Sequence, residues 1–246
     1  MNHVANKHQQ GFTLIELLLA MSFIAILLLA IALTIVQVSG MYNKGITLKE
    51  VNQVGRTIND DVRRSVASSR EVVLATDYVV SPATGVPSGG RLCLGNYSYV
   101  WNYAQIASTA SGITKYTSTP GGPTGPVRFL KVPDANKIYC TKDSFGAVTY
   151  QNIRAADVPQ SQELLVAGDH NLGMYQFDFI KPIPASSKDD NINQQLFTIQ
   201  YTIGTGDVKA MNPTLTACLD ASQTNADPLY CSVQQFTLVV RSGSGV

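Results

Sequence analysis

An uninterrupted apolar run dominates the N-terminal part of the chain. Residues 17–36 carry no charge, and Ser22 and Thr34 are the only polar side chains among them. Twenty helical residues span about 30 Å, which is the thickness of the hydrocarbon core of a bilayer. The run therefore predicts a membrane-crossing helix that is apolar on every side.

Apolar residues at helical spacing continue over residues 41–68. They recur at intervals of three and four, at Val51, Val54, Ile58, Val62 and Val66. Charged side chains fill the other faces, where Asp60 and Arg64 are four residues apart and can pair. We therefore predict one long helix over residues 12–68, about 85 Å in length, with one apolar stripe on its second half.

Three glycines interrupt this predicted helix, at Gly40, Gly45 and Gly55. Glycine lowers helix propensity, and we expect these positions to permit bending. The change in pattern divides the helix into a transmembrane part, residues 12–40, and an amphipathic part, residues 41–68.

Beyond residue 68 the pattern is that of a β-rich globular head, residues 69–246. Runs rich in valine, isoleucine, tyrosine, phenylalanine and threonine alternate with loops rich in glycine and proline. The predicted strands are 71–80, 91–103, 127–132, 173–180, 196–203 and 232–241. Antiparallel sheets packed on the apolar stripe of the helix give an α+β fold.

Four aromatic residues alternate along the predicted strand 91–103, at Tyr97, Tyr99, Trp101 and Tyr103. Alternation places them on one face. If exposed, they could bind a glycan or another surface. We expect them instead to cover the helix or a second sheet, because large aromatic side chains are usually buried.

The charge balance of the chain makes nucleic acid an unfavoured partner. The chain has 18 Lys and Arg against 17 Asp and Glu, a net charge of +1. This balance disfavours a nucleic-acid binder that works through bulk electrostatics.

The four cysteines are Cys93, Cys140, Cys218 and Cys231, all after the apolar run. They form no CxxC pair, which disfavours structural zinc. An even count beyond a membrane anchor favours disulfides, among which three pairings are possible. We favour the short Cys218–Cys231 loop together with Cys93–Cys140, and four free buried thiols are the alternative.

The first eleven residues, MNHVANKHQQG, form a polar leader in which Lys7 is the only fully charged side chain. Such a leader stays in the cytoplasm and places the head outside. A signal peptide would be cut at a small residue such as Ala32, but the apolar run is too long for one. A plain anchor leaves Glu16 unexplained, because acids in membrane helices usually have a partner.

Residues 11–16 read GFTLIE, and with the apolar run they resemble the prepilin motif of type IV pilins and type II secretion pseudopilins. The resemblance covers about the first 55 residues. It implies cleavage between Gly11 and Phe12 by prepilin peptidase, a membrane aspartyl protease, and N-methylation of Phe12. It also implies that Glu16 pairs with the new amine of a neighbouring subunit during assembly.

The resemblance implies a structural subunit of a pilus or pseudopilus. Its partners would be prepilin peptidase, other pilin or pseudopilin subunits, the inner-membrane assembly platform and membrane lipid. The chain would cross the inner membrane once and enter an extracytoplasmic filament through residues 12–40. Leu33 stands where major pilins often have proline, which favours a minor pilin or pseudopilin. The helix followed by a long strand-rich head resembles the J-type pseudopilin and the W-type minor pilin.

The sequence offers no enzymatic motif, so we expect no catalytic residue, metal or cofactor. GxSxG, P-loop, HExxH and GxGxxG sequences are missing, and His170 is the only histidine after the leader. Asp220 and Asp227 are similar to the calcium loop of major pseudopilins but lack a defined ligand spacing. The competing function is a membrane-anchored extracytoplasmic binding domain or enzyme that does not polymerise.

Replacing Gly11 tests the processing step. The missing side chain of glycine suits an extended peptide in a protease cleft. We expect Gly11→Val to leave the full-length precursor in the membrane, whereas N-terminal sequencing of the wild type should give methylated Phe12. A wild-type protein that begins after Ala32 would establish an ordinary secretory signal instead.

Overall fold

The structure, a computed structural model, describes residues 12–81, 88–106, 112–116, 123–165, 171–180, 188–189 and 194–243. The chain divides into two compact units, residues 1–43 and residues 44–246. Helix α1 (Leu14–Ala67) begins in the first unit and ends in the second.

The first unit consists, in its described part, of the N-terminal portion of α1. Its large apolar side chains are exposed, from Phe12 through to Tyr42. Within the part of the chain that the structure describes, α1 is the one helix long and apolar enough to cross a membrane. Neither Gly40 nor Gly45 interrupts helix α1.

In the residues that the structure describes, the second unit contains the end of α1, a short helix and eleven strands. The short helix is α2 (Leu74–Asp77), and single 3-10 turns occur at Val158–Gln160 and Val208–Ala210. The strands are β1 (Tyr78–Ser81), β2 (Gly89–Cys93), β3 (Tyr97–Asn102), β4 (Thr114–Tyr116), β5 (Pro123–Pro126), β6 (Phe129–Pro133), β7 (Gln162–Glu163), β8 (Leu172–Ile180), β9 (Lys188–Asp189), β10 (Gln194–Thr205) and β11 (Val233–Ser242).

These strands form three antiparallel sheets. The first has the order β1-β2-β3-β6-β7, and the second has the order β11-β10-β8 with β9 paired to β10. Strands β4 and β5 form a separate ribbon. A parallel bridge between Tyr103 and Met174 joins the end of β3 to β8. The long helix and antiparallel sheets confirm the predicted α+β fold.

Two predicted strands were wrong in detail. The segment 71–80 is extended only from Tyr78, because the Asp77 carboxylate accepts a hydrogen bond from the Val73 amide at 2.8 Å and closes a helical turn. The segment 91–103 is a hairpin of β2 and β3. Gly95 adopts a φ of +88° in its turn, a conformation that glycine reaches without strain.

The core of the second unit lies between the apolar stripe of α1 and both larger sheets. Val51, Ile58 and Val62 are almost completely buried there, as predicted. Aromatic rings face them, and the ring centroids of Trp101 and Phe177 are 4.5 Å apart. One core is therefore shared by the helix and the two sheets.

Hydrogen bonds fix the position of the helix on the sheets. The Tyr99 hydroxyl lies 2.7 Å from both the Asp61 carboxylate and the Ser65 hydroxyl. Burial raises the pKa of Tyr99, so its hydroxyl keeps its proton and acts as a donor. The Tyr201 hydroxyl donates to the Gly55 carbonyl at 2.7 Å.

Burial decides the role of the alternating aromatic face. Tyr99, Trp101 and Tyr103 are buried, which confirms their predicted core role. Tyr97 differs, because 38% of its surface is exposed. The Lys131 ammonium lies 4.2 Å from its ring centroid, in cation–π contact.

Gly55 has a packing role that the sequence did not reveal. A Cβ atom built on it would lie 2.1 Å from the Phe236 ring, which is too close for any contact. Gly45, ten residues earlier on the same helix, has nothing within 4 Å of such an atom. Gly55 therefore permits close approach of β11 to the helix, and Gly45 does not have that function.

Alanine at these two glycines should change stability in opposite directions. We expect Gly55→Ala to lower the free energy of unfolding by about 1–3 kcal/mol, because the core is overpacked. Gly45→Ala should raise it by about 0.4–1 kcal/mol, because the unfolded chain loses freedom. Urea denaturation in detergent, followed by fluorescence of Trp101, the only tryptophan, measures both. Equal effects of the two changes would refute the packing role of Gly55.

Candidate functional site

The candidate site lies where α1 begins. Gly11 is outside the described residues, and Phe12 is the first residue that the structure describes. Phe12 is 89% exposed and precedes the helix, which starts at Leu14. Thr13 is thus the residue at the N-cap position, and Glu16 falls in the first helical turn.

Thr13 and Glu16 bond to each other in both directions. The Glu16 amide donates to the Thr13 hydroxyl oxygen at 3.3 Å. The Thr13 amide and hydroxyl donate to Glu16 Oε2 at 3.0 and 2.9 Å. This reciprocal arrangement is a capping box, which satisfies amides that the first turn of a helix otherwise leaves unpaired.

The capping box leaves one oxygen of the Glu16 carboxylate available. Both bonds from Thr13 reach Oε2, and within residues 12–243, where described, Oε1 has no hydrogen-bond donor. The carboxylate also lies near the positive end of the helix dipole, which favours its charged form. The arrangement can therefore hold Glu16 in one orientation and still offer Oε1 to a cationic donor.

The surroundings of Glu16 are apolar. Leu14, Ile15 and Leu17 are 81%, 74% and 56% exposed, and residues 17–36 carry no charge. In hydrocarbon these side chains are well solvated, whereas the carboxylate is not. A second polar partner from outside the chain would reduce that cost.

Sequence reasoning identified Glu16 but missed Thr13. The signal was present, because threonine followed three residues later by glutamate and then by an apolar run is typical of a capping box. The motif was interpreted only through Gly11, Phe12 and Glu16, so the threonine between them received no role.

Both favoured cysteine pairs are bonded in the structure. Cys93 of β2 joins Cys140, and Cys218 joins Cys231, with Cα–Cα distances of 6.1 and 6.0 Å. The described part of the chain contains no free cysteine. The second bond closes a loop immediately before β11.

The remaining positions named from the sequence are His170, Asp220 and Asp227. His170 lies outside the described residues. Asp227 accepts a hydrogen bond from the Tyr230 amide at 3.1 Å, which is a role within a turn, and Asp220 is exposed. Among the described residues no three histidine, cysteine or acidic side chains come together as metal ligands.

Comparison with known families finds a match in the N-terminal part of the chain. The family model described as the prokaryotic N-terminal methylation motif matches residues 6–36. Searches of curated proteins and of solved structures find no match to the chain. The matched segment contains the whole candidate site and all of the apolar run, residues 17–36.

Removing the Thr13 hydroxyl should loosen the start of the helix. We expect Thr13→Val to accelerate amide exchange of Glu16 and Leu17, whose amides bond to Thr13, by about fivefold, which is typical of a lost cap. Thr13→Ser keeps the hydroxyl and should exchange as the wild type does. Hydrogen exchange of the protein in micelles measures both variants. Equal protection in Thr13→Val would show that the capping box does not stabilise this helix end.

Proposed function

We propose that this chain, which carries the N-terminal methylation motif of type IV pilins and type II secretion pseudopilins, is a structural subunit of such a filament. The observation that carries the proposal is Glu16, an oriented carboxylate in an apolar helix end with one oxygen available. A charge in that position calls for a partner, and a neighbouring subunit can supply one.

The motif makes the chain a pilin or pseudopilin type of substrate for prepilin peptidase. We place the cut between Gly11 and Phe12. Cleavage would convert the Phe12 nitrogen from an amide into an amine, which is then methylated and remains cationic. The same step removes the polar leader, including Lys7, and leaves 17 basic against 17 acidic side chains.

Assembly would bring that amine to the available oxygen of Glu16 in the next subunit. An ion pair in an apolar medium is favourable only when the geometry is good and the remaining polar atoms are satisfied. Thr13 satisfies Oε2, so the amine has one defined place to bind, at Oε1. Pairing neutralises both charges and leaves the apolar faces of α1 to pack in the filament core.

The rest of the chain suits this role. We place the N-terminus in the cytoplasm and the head outside the inner membrane, where an oxidising compartment sustains both disulfides. Other pilin subunits are the partners that the motif implies. We propose two further partners, which are membrane lipid before assembly and the inner-membrane assembly platform.

We further propose that the subunit is a minor one, of the J-type or W-type kind. Leu33 lies within α1, and the helix continues without interruption from Leu14 to Ala67. A helix without proline has no fixed point at which to break on assembly. The motif points to a structural subunit and not to an enzyme.

Replacing Glu16 tests assembly separately from processing. We expect Glu16→Leu to be cleaved and inserted normally, because insertion improves with apolarity, and yet to be lost from filaments. The measurement is the amount of the chain in the sheared-filament fraction relative to the membrane fraction. Ser22→Leu, which removes a polar side chain from the same helix without removing an acid, is the matched control and should assemble.

If Glu16→Leu assembles as well as the wild type, the acid is not an assembly residue. The anchored binding domain or enzyme that does not polymerise would then be the better explanation of the chain.

A further inference from the structure

Strand β1 forms one edge of the five-stranded sheet. The hairpin beside it shows which of its backbone groups are paired. The Leu94 amide donates to the Tyr97 carbonyl at 2.9 Å, and alternate residues counted back from Leu94 therefore bond to β3. Arg91 falls between them and bonds instead to Val79, which lies opposite it in β1. The amide and carbonyl of Val80, the next residue, thus point outward from the sheet.

The outward backbone groups of Val80 have no hydrogen-bond partner in the described part of the chain. An edge strand with unpaired amides and carbonyls can pair with a strand from another chain. Proteins usually blunt such an edge with charges or proline, or cover it with another element. Strand β1 has a groove beside it instead.

This groove has a volume of about 530 Å³. One wall is β1, from Tyr78 to Val80, and the other is the loop 142–148. Phe145 of that loop lines the groove and is nevertheless 93% exposed. The groove therefore offers backbone hydrogen bonds on one side and an exposed aromatic ring on the other.

The loop wall is held in place by bonds of its own. The Asp143 amide donates to the Ala147 carbonyl at 2.7 Å. Asp143 Oδ1 in turn accepts from the amides of Phe145 and Ala147, both at 2.9 Å. The disulfide Cys93–Cys140 joins the chain just before the loop to β2. A wall that is already formed loses little conformational freedom when a peptide binds.

The charge around the groove is positive. Among the described residues that line it, Lys142 is the only charged one. Behind the lining, Arg91 is 1% exposed and donates to the carbonyl of Gln151, a lining residue, at 2.7 Å. The Nε and Nη1 atoms of Arg91 have no hydrogen-bond partner among the described residues.

Neither Lys142 nor Arg91 belongs to the ion pairs of the described residues. Burial lowers the pKa of Arg91 to about 10, so this side chain is still charged at neutral pH. Asp143 is next to Lys142 in sequence, but it does not line the groove, and its carboxylate bonds to amides of its own loop. A buried cation without a counter-ion is costly, and an occupant that brings a carboxylate offsets that cost.

We propose that the groove beside β1 binds an extended peptide segment of a different protein, which adds a strand to the sheet and brings an acidic side chain towards Lys142 and Arg91. Backbone pairing to an open edge supplies affinity in this mode of recognition, and side-chain contacts supply specificity. A second copy of this chain is a poorer occupant, because pairing β1 with β1 would bring the same cations together. The docking does not depend on polymerisation through Glu16.

Synthetic peptides test the docking on the full-length protein in micelles. The probe is an acetylated octapeptide of alternating threonine and valine with one central glutamate. One control has lysine in place of the glutamate, and another has methyl groups on all its amides. We expect the glutamate peptide to bind at least about tenfold more tightly than the lysine peptide, and methylation to abolish binding because the strand can no longer donate hydrogen bonds.

The Val80 amide reports where the peptide binds. We expect its hydrogen exchange to slow by about fivefold or more when the glutamate peptide is added, because the amide gains an acceptor. Lys142→Glu should weaken binding of the glutamate peptide by about tenfold. Lys209→Glu reverses an equally exposed charge between β10 and β11 and should keep binding within about twofold of wild type.

Several results would overturn the proposal. These are equal binding of the glutamate and lysine peptides, binding that survives methylation, and no binding of the glutamate peptide at about 1 mM. Slower exchange of Val80 that follows protein concentration without any peptide would show a second copy in the groove, and would overturn it too. The sheared-filament assay of Glu16→Leu is independent of all these measurements, so failure of the docking and failure of the proposed function are distinguishable.

Discussion

The contact between the second half of α1 and the two larger sheets is the interaction on which the rest of the head depends. The helix supplies aliphatic side chains, and the sheets supply aromatic rings that pack in the same core cluster. Polar anchors set the register along the helix, since Tyr99 and Tyr201 each bond to a particular turn. Each large sheet thus packs one face against the helix, and neither sheet would have a complete hydrophobic core without the helix.

Much of this arrangement follows from residue pattern. The stripe from Val51 to Val66 and the aromatic alternation of β3 both have a period that indicates which side is buried. The last three long strands were predicted within two residues of their ends, because their β-branched and aromatic content is high and continuous.

The hydrophobic pattern could not predict the contacts that depend on single atoms. The turn at Gly95 and the helical turn closed by Asp77 depend on one backbone angle and one carboxylate, and neither changes the hydrophobic period. From the sequence, Gly55 predicts only a locally weaker helix. The structure shows that the ring of Phe236 packs against it. At the N-terminus, Thr13 lies inside the recognised motif, but the motif gives it no role. Its role follows from the hydrogen bonds that it exchanges with Glu16.

The place of β11 in the chain has a consequence for how the head is made. Phe236 and Leu238 of this last strand complete the covering of α1, and the Gly243 amide donates to the Ser69 carbonyl at 3.2 Å. The helix is synthesised first and its closing strand last, so contacts between distant parts of the sequence must form before the core is sealed. The apolar stripe of α1 therefore stays incompletely covered until β11 has been made. During that interval the nascent chain is most exposed to proteases and to aggregation.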